Sequence, residues 1–322
     1  MHALITGGAG FIGSHLTELL LAQGHTVTII DDLSTGSIEN IKPFKNNEHF
    51  NYHLESVNHT KVLKELIDQS DVVFHLAAAV GVRLIVDSPV RTIETNLSGT
   101  EKVLEVAALK QKKVIFTSTS EVYGKSQIFP YREDHDLVIG PSTIGRWSYA
   151  CSKAMDEFLA IAYWKEKKVP VVIARLFNAA GPRQVGRYGM VIPRFIQQAL
   201  KSKDLTVYGN GQQTRTFCHV TDTCRALAEL AQNDNCIGHI LNIGSDQPIS
   251  ILNLAKKIIT LAHSSSAIKF IPYAEAFEEG FEDMQDRLPD IQKIKKFVNF
   301  SPRKDLDDIL NDTIAWYKNL NF

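Results

Sequence analysis

Tyr149 and Lys153 are the residues whose types and spacing most clearly indicate chemistry. On a helix, side chains at positions i and i+4 lie on the same face, so the lysine would stand beside the phenol. A lysine ammonium stabilises a phenolate and lowers the pKa of a tyrosine from its usual value of about 10. Such a tyrosine can accept the proton of a substrate hydroxyl. Alone, a Tyr-xxx-Lys pair is more often a surface pair, so this interpretation requires a second site upstream.

A glycine-rich segment near the start of the chain supplies that second site. Gly7, Gly10 and Gly13 follow a predicted strand and open a predicted helix, which is the context that a dinucleotide-binding loop requires. Gly7 would permit the tight turn, Gly10 would let the backbone approach a pyrophosphate, and Gly13 would let the helix pack against the strand. The helix N-terminus would face the diphosphate. Phe11 and Ile12, in the first helical turn, are assigned to the same cofactor site.

Two acids, Asp31 and Asp32, end the second predicted strand at about 20 residues beyond the glycines. A carboxylate at this place accepts both ribose hydroxyls and repels a 2′-phosphate, so the sequence favours NAD over NADP. Asp31 directly ends the apolar strand and is the preferred ligand, although Asp32 could share the role. The alternative for both acids is a surface turn.

Three polar residues, Thr119, Ser120 and Glu121, follow the strand predicted at 113–117. A hydroxyl at this position could hydrogen-bond the reacting oxygen of a substrate and orient it toward Tyr149. Ordinary capping of the loop explains the serine and threonine hydroxyls equally well.

The elements that must position these residues alternate in the first half of the chain. Short apolar runs predict strands, and stretches of helical periodicity lie between them. The alternation predicts an α/β fold of the Rossmann type, with a doubly wound parallel sheet whose ligands bind at the C-terminal ends of the strands. The predicted strands are 3–6, 26–30, 72–76, 113–117 and 171–176, and the predicted helices are 13–22, 62–68, 92–108 and 149–165.

The pattern changes after about residue 178, where Gly and Pro become frequent and further helical stretches follow. We predict a dinucleotide-binding domain over 1–177 and a smaller, helix-rich substrate lobe over 178–322. Strand segments around 215–245, including a short strand at 242–244, are expected to return to the first domain. The helical stretches of the second lobe are 193–200, 221–231, 251–262 and 305–320.

Composition and charge narrow the class of protein. The chain of 322 residues is 44% hydrophobic and 22% charged, with a formal net charge of −1, so no nucleic-acid or anionic-membrane surface is expected. Four scattered cysteines show no zinc-site spacing and predict free thiols in a reducing compartment, with no metal site. Uninterrupted apolar segments are too short to span a membrane. A cytoplasmic protein is therefore expected.

Together, these motifs resemble those of the extended short-chain dehydrogenases, which include nucleotide-sugar epimerases, dehydratases and decarboxylases. The resemblance implies a nucleotide-sugar substrate, a tightly held NAD that is reduced and reoxidised within one turnover, and a homodimer through a four-helix contact at 92–108 and 149–165. It covers nearly the whole chain and rests on Gly7-xx-Gly10-xx-Gly13, Asp31, His75-Leu76-Ala77-Ala78, Asn96, Thr119, Tyr149-xxx-Lys153, Arg175-xx-Asn178 and Gly181-Pro182-Arg183.

The resemblance also implies roles for individual residues. Thr119, Tyr149 and Lys153 match the catalytic triad of the family. Ser56 stands where the family commonly has an acid that binds adenine. Further implied cofactor contacts are Val57, Leu76, Ala77 and Ala78. The implied substrate contacts are Ser120 and Val191, Asn178 and Arg215 at the substrate diphosphate, and Tyr208 near the base.

Three local features indicate which reaction follows oxidation of the sugar at C4. Glu121 stands where simple 4-epimerases have a small residue. The segment 140–153, and Gly280-Phe281-Glu282-Asp283 with Asp286-Arg287-x-Pro289, resemble UDP-glucuronate decarboxylases, in which the second segment contributes a catalytic arginine. Arg287 could hold a substrate carboxylate in a bidentate contact, and Glu121 could act as an acid or base if burial raises its pKa.

The preferred hypothesis is therefore decarboxylation of UDP-glucuronate. The main alternative is 4-epimerisation of a UDP-sugar, glucose or glucuronate, in which Arg287 would merely bind a carboxylate. A 4,6-dehydratase comes third, because Ser120 replaces the Asp of the usual Asp-Glu pair. A non-catalytic NAD-binding regulator is disfavoured because Tyr149 and Lys153 are both present. Structural alternatives are an ion pair of Arg287 with Asp283 or Asp286, and a buried structural role for Glu121.

Overall fold

A computed structural model of the chain describes residues 1–81, 88–186, 189–276 and 284–320. Its central element is a parallel sheet of seven strands. The strands are β1 (His2–Thr6), β2 (Thr26–Ile30), β3 (Phe50–His53), β4 (Val72–His75), β5 (Lys113–Thr119), β6 (Val171–Leu176) and β11 (Ile240–Ile243), in the spatial order β11-β6-β5-β4-β1-β2-β3.

Helices cover both faces of this sheet, because successive residues of each strand point to opposite sides. The helices are α1 (Phe11–Ala22), α2 (Ile38–Ile41), α3 (Thr60–Gln69), α4 (Pro89–Lys110), α5 (Ser148–Lys167), α6 (Val191–Leu200), α7 (Val220–Gln232), α8 (Ile251–Ala262), α9 (Tyr273–Ala276) and α10 (Leu306–Asn319). On β1, Ala3 and Ile5 pack in a core with helices α1 and α7, whereas Leu4 packs in a second core with α3, α4 and α5. The predicted doubly wound Rossmann fold is therefore confirmed.

A third core lies among α6, α8, α10 and strand β8 in the C-terminal part of the chain. β8 pairs in parallel with β13, and two further two-stranded sheets join β10 to β7 and β12 to β9. The division of the chain between residues 177 and 178 stays a prediction. These strands are β7 (Ala179–Ala180), β8 (Leu205–Tyr208), β9 (Thr214–Thr216), β10 (Cys218–His219), β12 (Pro248–Ser250) and β13 (Ile268–Ile271).

Two differences from the predicted strands have simple physical causes. β3 was not predicted, because it lies at the edge of the sheet and buries only Phe50, so its sequence has no apolar run. β5 extends two residues beyond the predicted end, to Thr119, because its last residues are polar yet still pair with β6. This extension brings Thr119 to the carboxyl edge of the sheet, where ligands of such folds bind.

Candidate functional site

A cavity of about 590 Å³ opens at the carboxyl ends of β1, β2, β4 and β5. Tyr208 and Arg215 do not lie on its wall. All other predicted site residues do: Gly7, Gly10, Phe11, Ile12, Gly13, Asp31, Asp32, Ser56, Val57, Leu76, Ala77, Ala78, Thr119, Ser120, Glu121, Tyr149, Lys153, Asn178, Val191 and Arg287. Motifs that are far apart in the sequence, from Gly7 to Arg287, thus line the same cavity.

The glycine loop closes one end of this cavity between β1 and α1. Gly7 has a φ of +72°, and a Cβ there would lie 2.9 Å from the backbone nitrogen of Ala77 on the neighbouring β4 side. A Cβ on Gly13 would collide with the carbonyl oxygen of Gly7. Both positions therefore require glycine, and the resulting close approach leaves the start of α1, at Phe11, facing the cavity. This geometry fits a pyrophosphate at a helix N-terminus.

Asp31 directly follows β2, lines the cavity and is buried. Its two carboxylate oxygens accept hydrogen bonds from the backbone nitrogens of Ala9, at 2.9 Å, and Leu33, at 2.8 Å. Burial raises its pKa above the usual value, and the two amides partly offset that rise. The amides fix the carboxylate at the wall while lone pairs remain for ribose hydroxyls. Asp32 is exposed and accepts a hydrogen bond from the backbone nitrogen of Ser34.

The segment after β3, predicted to contact adenine, also lines the cavity. The hydroxyl of Ser56 accepts a hydrogen bond from the backbone nitrogen of Asn58 at 3.2 Å, and Val57 is buried. Glu55 also lies on the cavity wall, and its Oε2 is 3.2 Å from Nδ1 of His59. Glu55 was not predicted as a site residue, although it directly precedes Ser56. Glu55 thus places a carboxylate next to Ser56, the position at which the resemblance implies an acid.

The Tyr149 phenol lies at the start of α5, in the middle of the cavity. Burial and the negative charge of Glu121 raise the pKa of Tyr149 above its usual value, against a hydrogen bond with Thr119 that lowers it. On balance the protein's own groups therefore raise the pKa of Tyr149, contrary to the lowering that its spacing from Lys153 predicts. The Lys153 ammonium instead donates to Asp156 at 3.2 Å and lies 4.0 Å from the centre of the Phe116 ring.

The part of the cavity called here the arginine end has Glu121 and Arg287 on its wall, and Arg146 pairs with Glu121 without lining the cavity. Arg146 contacts one oxygen of the Glu121 carboxylate, and Nη1 of Arg287 donates to the other at 3.2 Å. All three residues are buried. Burial alone would raise the pKa of Glu121, but the two guanidinium groups outweigh it and lower that pKa to about 2. The condition under which Glu121 could act as an acid, a pKa raised by burial, is therefore not met, and Glu121 is ionised at neutral pH.

Arg287 forms this ion pair rather than the one considered with Asp286, which accepts a hydrogen bond from the Thr214 hydroxyl. Asp283, together with Gly280, Phe281 and Glu282 of the same motif, lies outside the described residues. Arg146 was not predicted as a site residue. Its position three residues before Tyr149, in a short 3₁₀ turn that leads directly into α5, could have indicated that it lies near the site.

Tyr208 and Arg215 lie in the C-terminal part, away from the cavity wall. The guanidinium of Arg194 stacks 4.2 Å from the centre of the Tyr208 ring. Arg215 donates from Nη1 to the backbone oxygens of Thr214, at 2.7 Å, and Gln285, at 3.2 Å. Asn178 does lie on the wall, and its amide donates to the backbone oxygen of Thr216 at 2.9 Å. Of the predicted diphosphate ligands, Asn178 alone is thus placed at the cavity.

The four cysteines are free thiols, with Cys151 exposed and Cys218, Cys224 and Cys236 buried. Within the described ranges, no helix has both the length and the apolar character needed to cross a membrane. The same part of the chain contains no group of three or more His, Cys, Asp or Glu side chains arranged to hold a metal ion.

Comparisons with known proteins agree with this geometry. A relative named UDP-N-acetyl-alpha-D-glucosaminuronate decarboxylase, from Bacillus cytotoxicus, is 42% identical over 98% of this chain and 98% of its own. UDP-glucuronic acid decarboxylase 1 from Danio rerio is 38% identical over 98% of this chain and 72% of its own. A solved structure of UDP-glucuronic acid 4-epimerase from Bacillus cereus, with UDP-glucuronic acid and NAD, is 32% identical, covers 99% of this chain and all of its own, and has a TM-score of 0.87.

A family model described as GDP-mannose 4,6 dehydratase matches residues 4–313, almost the whole chain. The match includes both ends of the cavity, from the glycine loop to Arg287. The chain therefore belongs to this family of extended short-chain dehydrogenases, as its sequence motifs indicated.

Proposed function

We propose that the protein decarboxylates a UDP-linked hexuronic acid through a ketone formed at C4 of the sugar. The observation that carries the proposal is the arginine end, where Arg287 reaches the cavity wall within hydrogen-bonding distance of a carboxylate, that of Glu121. A guanidinium at this place can also bind a substrate carboxylate, through two parallel hydrogen bonds. The curated relatives named as uronic acid decarboxylases support this assignment.

NAD is the cofactor that the other end of the cavity fits. We propose that the glycine loop and the start of α1 hold its diphosphate, Asp31 its ribose, and the segment of Ser56 and Val57 its adenine. When bound, NAD supplies the acceptor for the C4 hydride and a positive charge beside the Tyr149 phenol. That charge provides the lowering of the Tyr149 pKa which the protein's own groups do not supply.

The residues between the two ends then perform the chemistry. Tyr149 accepts the proton of the C4 hydroxyl, and Thr119 orients that hydroxyl. The resulting C4 ketone is β to the C6 carboxylate, so the C5–C6 bond breaks, CO₂ leaves and the electron pair of that bond is delocalised onto the ketone oxygen as an enolate. Protonation at C5 by solvent gives the UDP-4-keto-pentose, and return of the hydride to C4 would give the UDP-pentose. Because Glu121 is ionised, it cannot donate a proton at neutral pH, and we propose that it orients Arg287 instead. Ser120 and Asn178 lie on the same wall as further substrate contacts.

The main alternative is 4-epimerisation of the same uronic acid. It is favoured by the 32% identity to the UDP-glucuronic acid 4-epimerase, because the carboxylate would need an arginine in both reactions. A 4,6-dehydratase is less well supported, because elimination at C6 needs a proton donor. Ser120 is not an acid, and Glu121 is held as a carboxylate.

The test is incubation of the purified protein and NAD separately with UDP-glucuronate and its 2-acetamido analogue. We expect loss of CO₂, giving a UDP-pentose or a UDP-4-keto-pentose by mass and NMR. Tyr149→Phe should retain NAD binding but lose roughly 10²- to 10⁴-fold in turnover. Unchanged mass with inversion at C4 would establish the epimerase, and turnover of UDP-glucose or dTDP-glucose with neither uronate would overturn the proposal.

We also propose a homodimer through α4 and α5, and a cytoplasmic location in which the free thiols stay reduced. The two helices pack on each other and leave large apolar side chains exposed, including Phe158 at 68%, Met155 at 54% and Val90 at 66%. An apolar face of this kind is typical of a subunit contact. Light scattering should give a dimer for the wild type and a monomer for Phe158→Glu, and a monomeric wild type would exclude it.

A further inference from the structure

We propose that Asp156 is a positioning residue, which holds Lys153 in its charged form at the cofactor cavity. This inference rests on the proposed function, because it concerns the lysine beside the catalytic tyrosine. Asp156 is absent from the residues that the sequence motifs selected, and it does not lie on the cavity wall. It would act on the reaction mainly through Lys153, without touching the substrate.

The geometry of the pair supports this role. Lys153 and Asp156 are three residues apart on α5, and Nζ lies 3.2 Å from Oδ2. The exposed fractions of the two side chains are 3% and 0%, so water does not screen the interaction. The other neighbour of the ammonium group is the face of the Phe116 ring. Asp156 is thus the acid that accepts a hydrogen bond from the buried lysine.

Burial makes each member of the pair depend on the other. It lowers the pKa of Lys153 and raises the pKa of Asp156, and in each case the partner's charge acts in the opposite direction. A lysine buried without a carboxylate tends to lose its proton. A neutral Lys153 could not stabilise the phenolate of Tyr149, so the reaction requires a counter-charge at this depth.

Asp156 is itself fixed by a buried hydrogen-bond network that reaches the glycine loop. The Thr100 hydroxyl hydrogen-bonds Asp156 and lies 3.3 Å from Nε2 of His75. Nδ1 of His75 is 2.8 Å from the hydroxyl of Thr6, which also accepts from the backbone nitrogen of Ala77. Thr6 directly precedes Gly7. The network therefore links the lysine to the loop proposed to hold the diphosphate.

Other charged groups near the pair are neutralised elsewhere. Glu157 also acts on Lys153 from α5, but it forms a bidentate ion pair with Arg175 of β6, with the shortest contact at 2.7 Å. Glu121 is paired with Arg146 and Arg287. His75, on β4, is kept neutral because burial and Lys153 lower its pKa to about 3. The charge state of Lys153 is thus set mainly by Asp156.

The decisive variant is Asp156→Asn, which removes the negative charge and keeps the shape. Without that charge the pKa of Lys153 should fall by about 1–3 units. For Tyr149 two effects oppose each other: removing the Asp156 charge lowers its pKa, and losing the Lys153 charge raises it. The alkaline limb of the pH–rate profile, where Lys153 loses its proton, should therefore move to lower pH. Asp156→Glu, which keeps the charge, should retain the wild-type profile even if its turnover is lower.

Lysine side-chain NMR provides a readout that needs neither substrate nor NAD. The Lys153 resonance is assigned by its loss in Lys153→Arg and then titrated in the wild type and in Asp156→Asn. A lowered pKa in the variant supports the proposal whether or not the assigned sugar reaction is correct. Reduced turnover with an unshifted profile and an unshifted Lys153 pKa would show that Asp156 only stabilises the fold.

A matched control is Asp68→Asn, because Asp68 forms a comparable 2.9 Å pair with Lys110 at the surface. It should change neither the profile nor the Lys153 pKa. If Asp156→Asn does not fold, Thr100→Val takes its place: losing the hydroxyl disfavours the Asp156 carboxylate and should lower the pKa of Lys153 by a smaller amount. An unchanged Lys153 pKa in a folded Thr100→Val protein would then overturn the proposal.

Discussion

The glycine-loop end and the arginine end of the cavity are built in different ways. At the glycine-loop end, backbone amides and a single buried carboxylate follow directly from the ends of β1 and β2. At the arginine end, three charged side chains meet from separate segments: Arg146 lies 25 positions from Glu121, and Arg287 lies 166 positions from it. The first end depends on backbone geometry, and the second depends on charge balance.

The two ends should therefore be sensitive to different kinds of substitution. A backbone site fails when an added atom blocks the close approach of two segments, which is a packing effect. A buried cluster of charges fails when one partner is removed, because the remaining charges lose their compensation. We therefore expect the arginine end to show the larger effects on reaction and the glycine-loop end the larger effects on folding and cofactor affinity.

Arg287→Met should give the largest effect. Removing one partner of a buried, hydrogen-bonded charge pair costs about 2–5 kcal/mol, which corresponds to roughly 30- to 4,000-fold in kcat/KM for the uronate. NAD affinity should stay within about twofold, since Arg287 belongs to the other end. Calorimetric titration with NAD and steady-state kinetics measure the two quantities separately.

The control for this variant is Arg132→Met, because Arg132 also pairs with an acid, Asp134, but at the exposed surface. Its kinetics should match the wild type. The contrast between the two ends would be contradicted if Arg287→Met weakened NAD binding as strongly as it slowed the reaction.

The same contrast explains how much of the site could be predicted from the sequence. Most strands of the sheet can be recognised in the sequence as apolar runs, because both faces of the sheet are buried. The glycine loop can be recognised because its glycines directly follow β1. The edge strand β3 was missed because only one of its residues is buried. Half of the residues that line the cavity were predicted from the sequence, whereas the ion pairs among them were not.

The ion pairs show why those partners escape prediction. No periodic pattern relates Glu121 to Arg287, because long-range chain folding decides which charges meet. The sequence analysis considered what burial alone would do to the Glu121 pKa, but not the pairing with Arg146 and Arg287 that lowers it. Asp156 differs, because its spacing of three from Lys153 on α5 follows from helical periodicity and could have been noticed.

Gly13→Ala tests the packing of the glycine-loop end and should have an intermediate effect. An added Cβ would collide with the backbone oxygen of Gly7, which cannot move as a side chain can. We expect a loss of about 1–3 kcal/mol in the free energy of unfolding, measured by denaturant titration. Gly145→Ala is the matched control, because a Cβ there meets nothing within 4 Å. Equal stability of the two variants would show that the close approach at Gly13 contributes little.

Asp31→Asn should have the smallest effect, and it tests whether the buried carboxylate recognises the ribose of NAD. An amide keeps one acceptor oxygen but loses the charge, so NAD affinity should fall by roughly tenfold, the lower end expected for a hydrogen bond to a charged group. Removing the charge also relieves repulsion of a 2′-phosphate, so the ratio of NADP to NAD affinity should rise. Calorimetric titration with each dinucleotide measures both.

Asp32→Asn is the matched control: Asp32 is exposed and caps its own turn, so this variant should bind NAD nearly as the wild type does. A larger loss in Asp32→Asn than in Asp31→Asn would transfer the ribose contact to Asp32, and the glycine-loop end would then recognise ribose through a solvent-facing side chain rather than through a buried one.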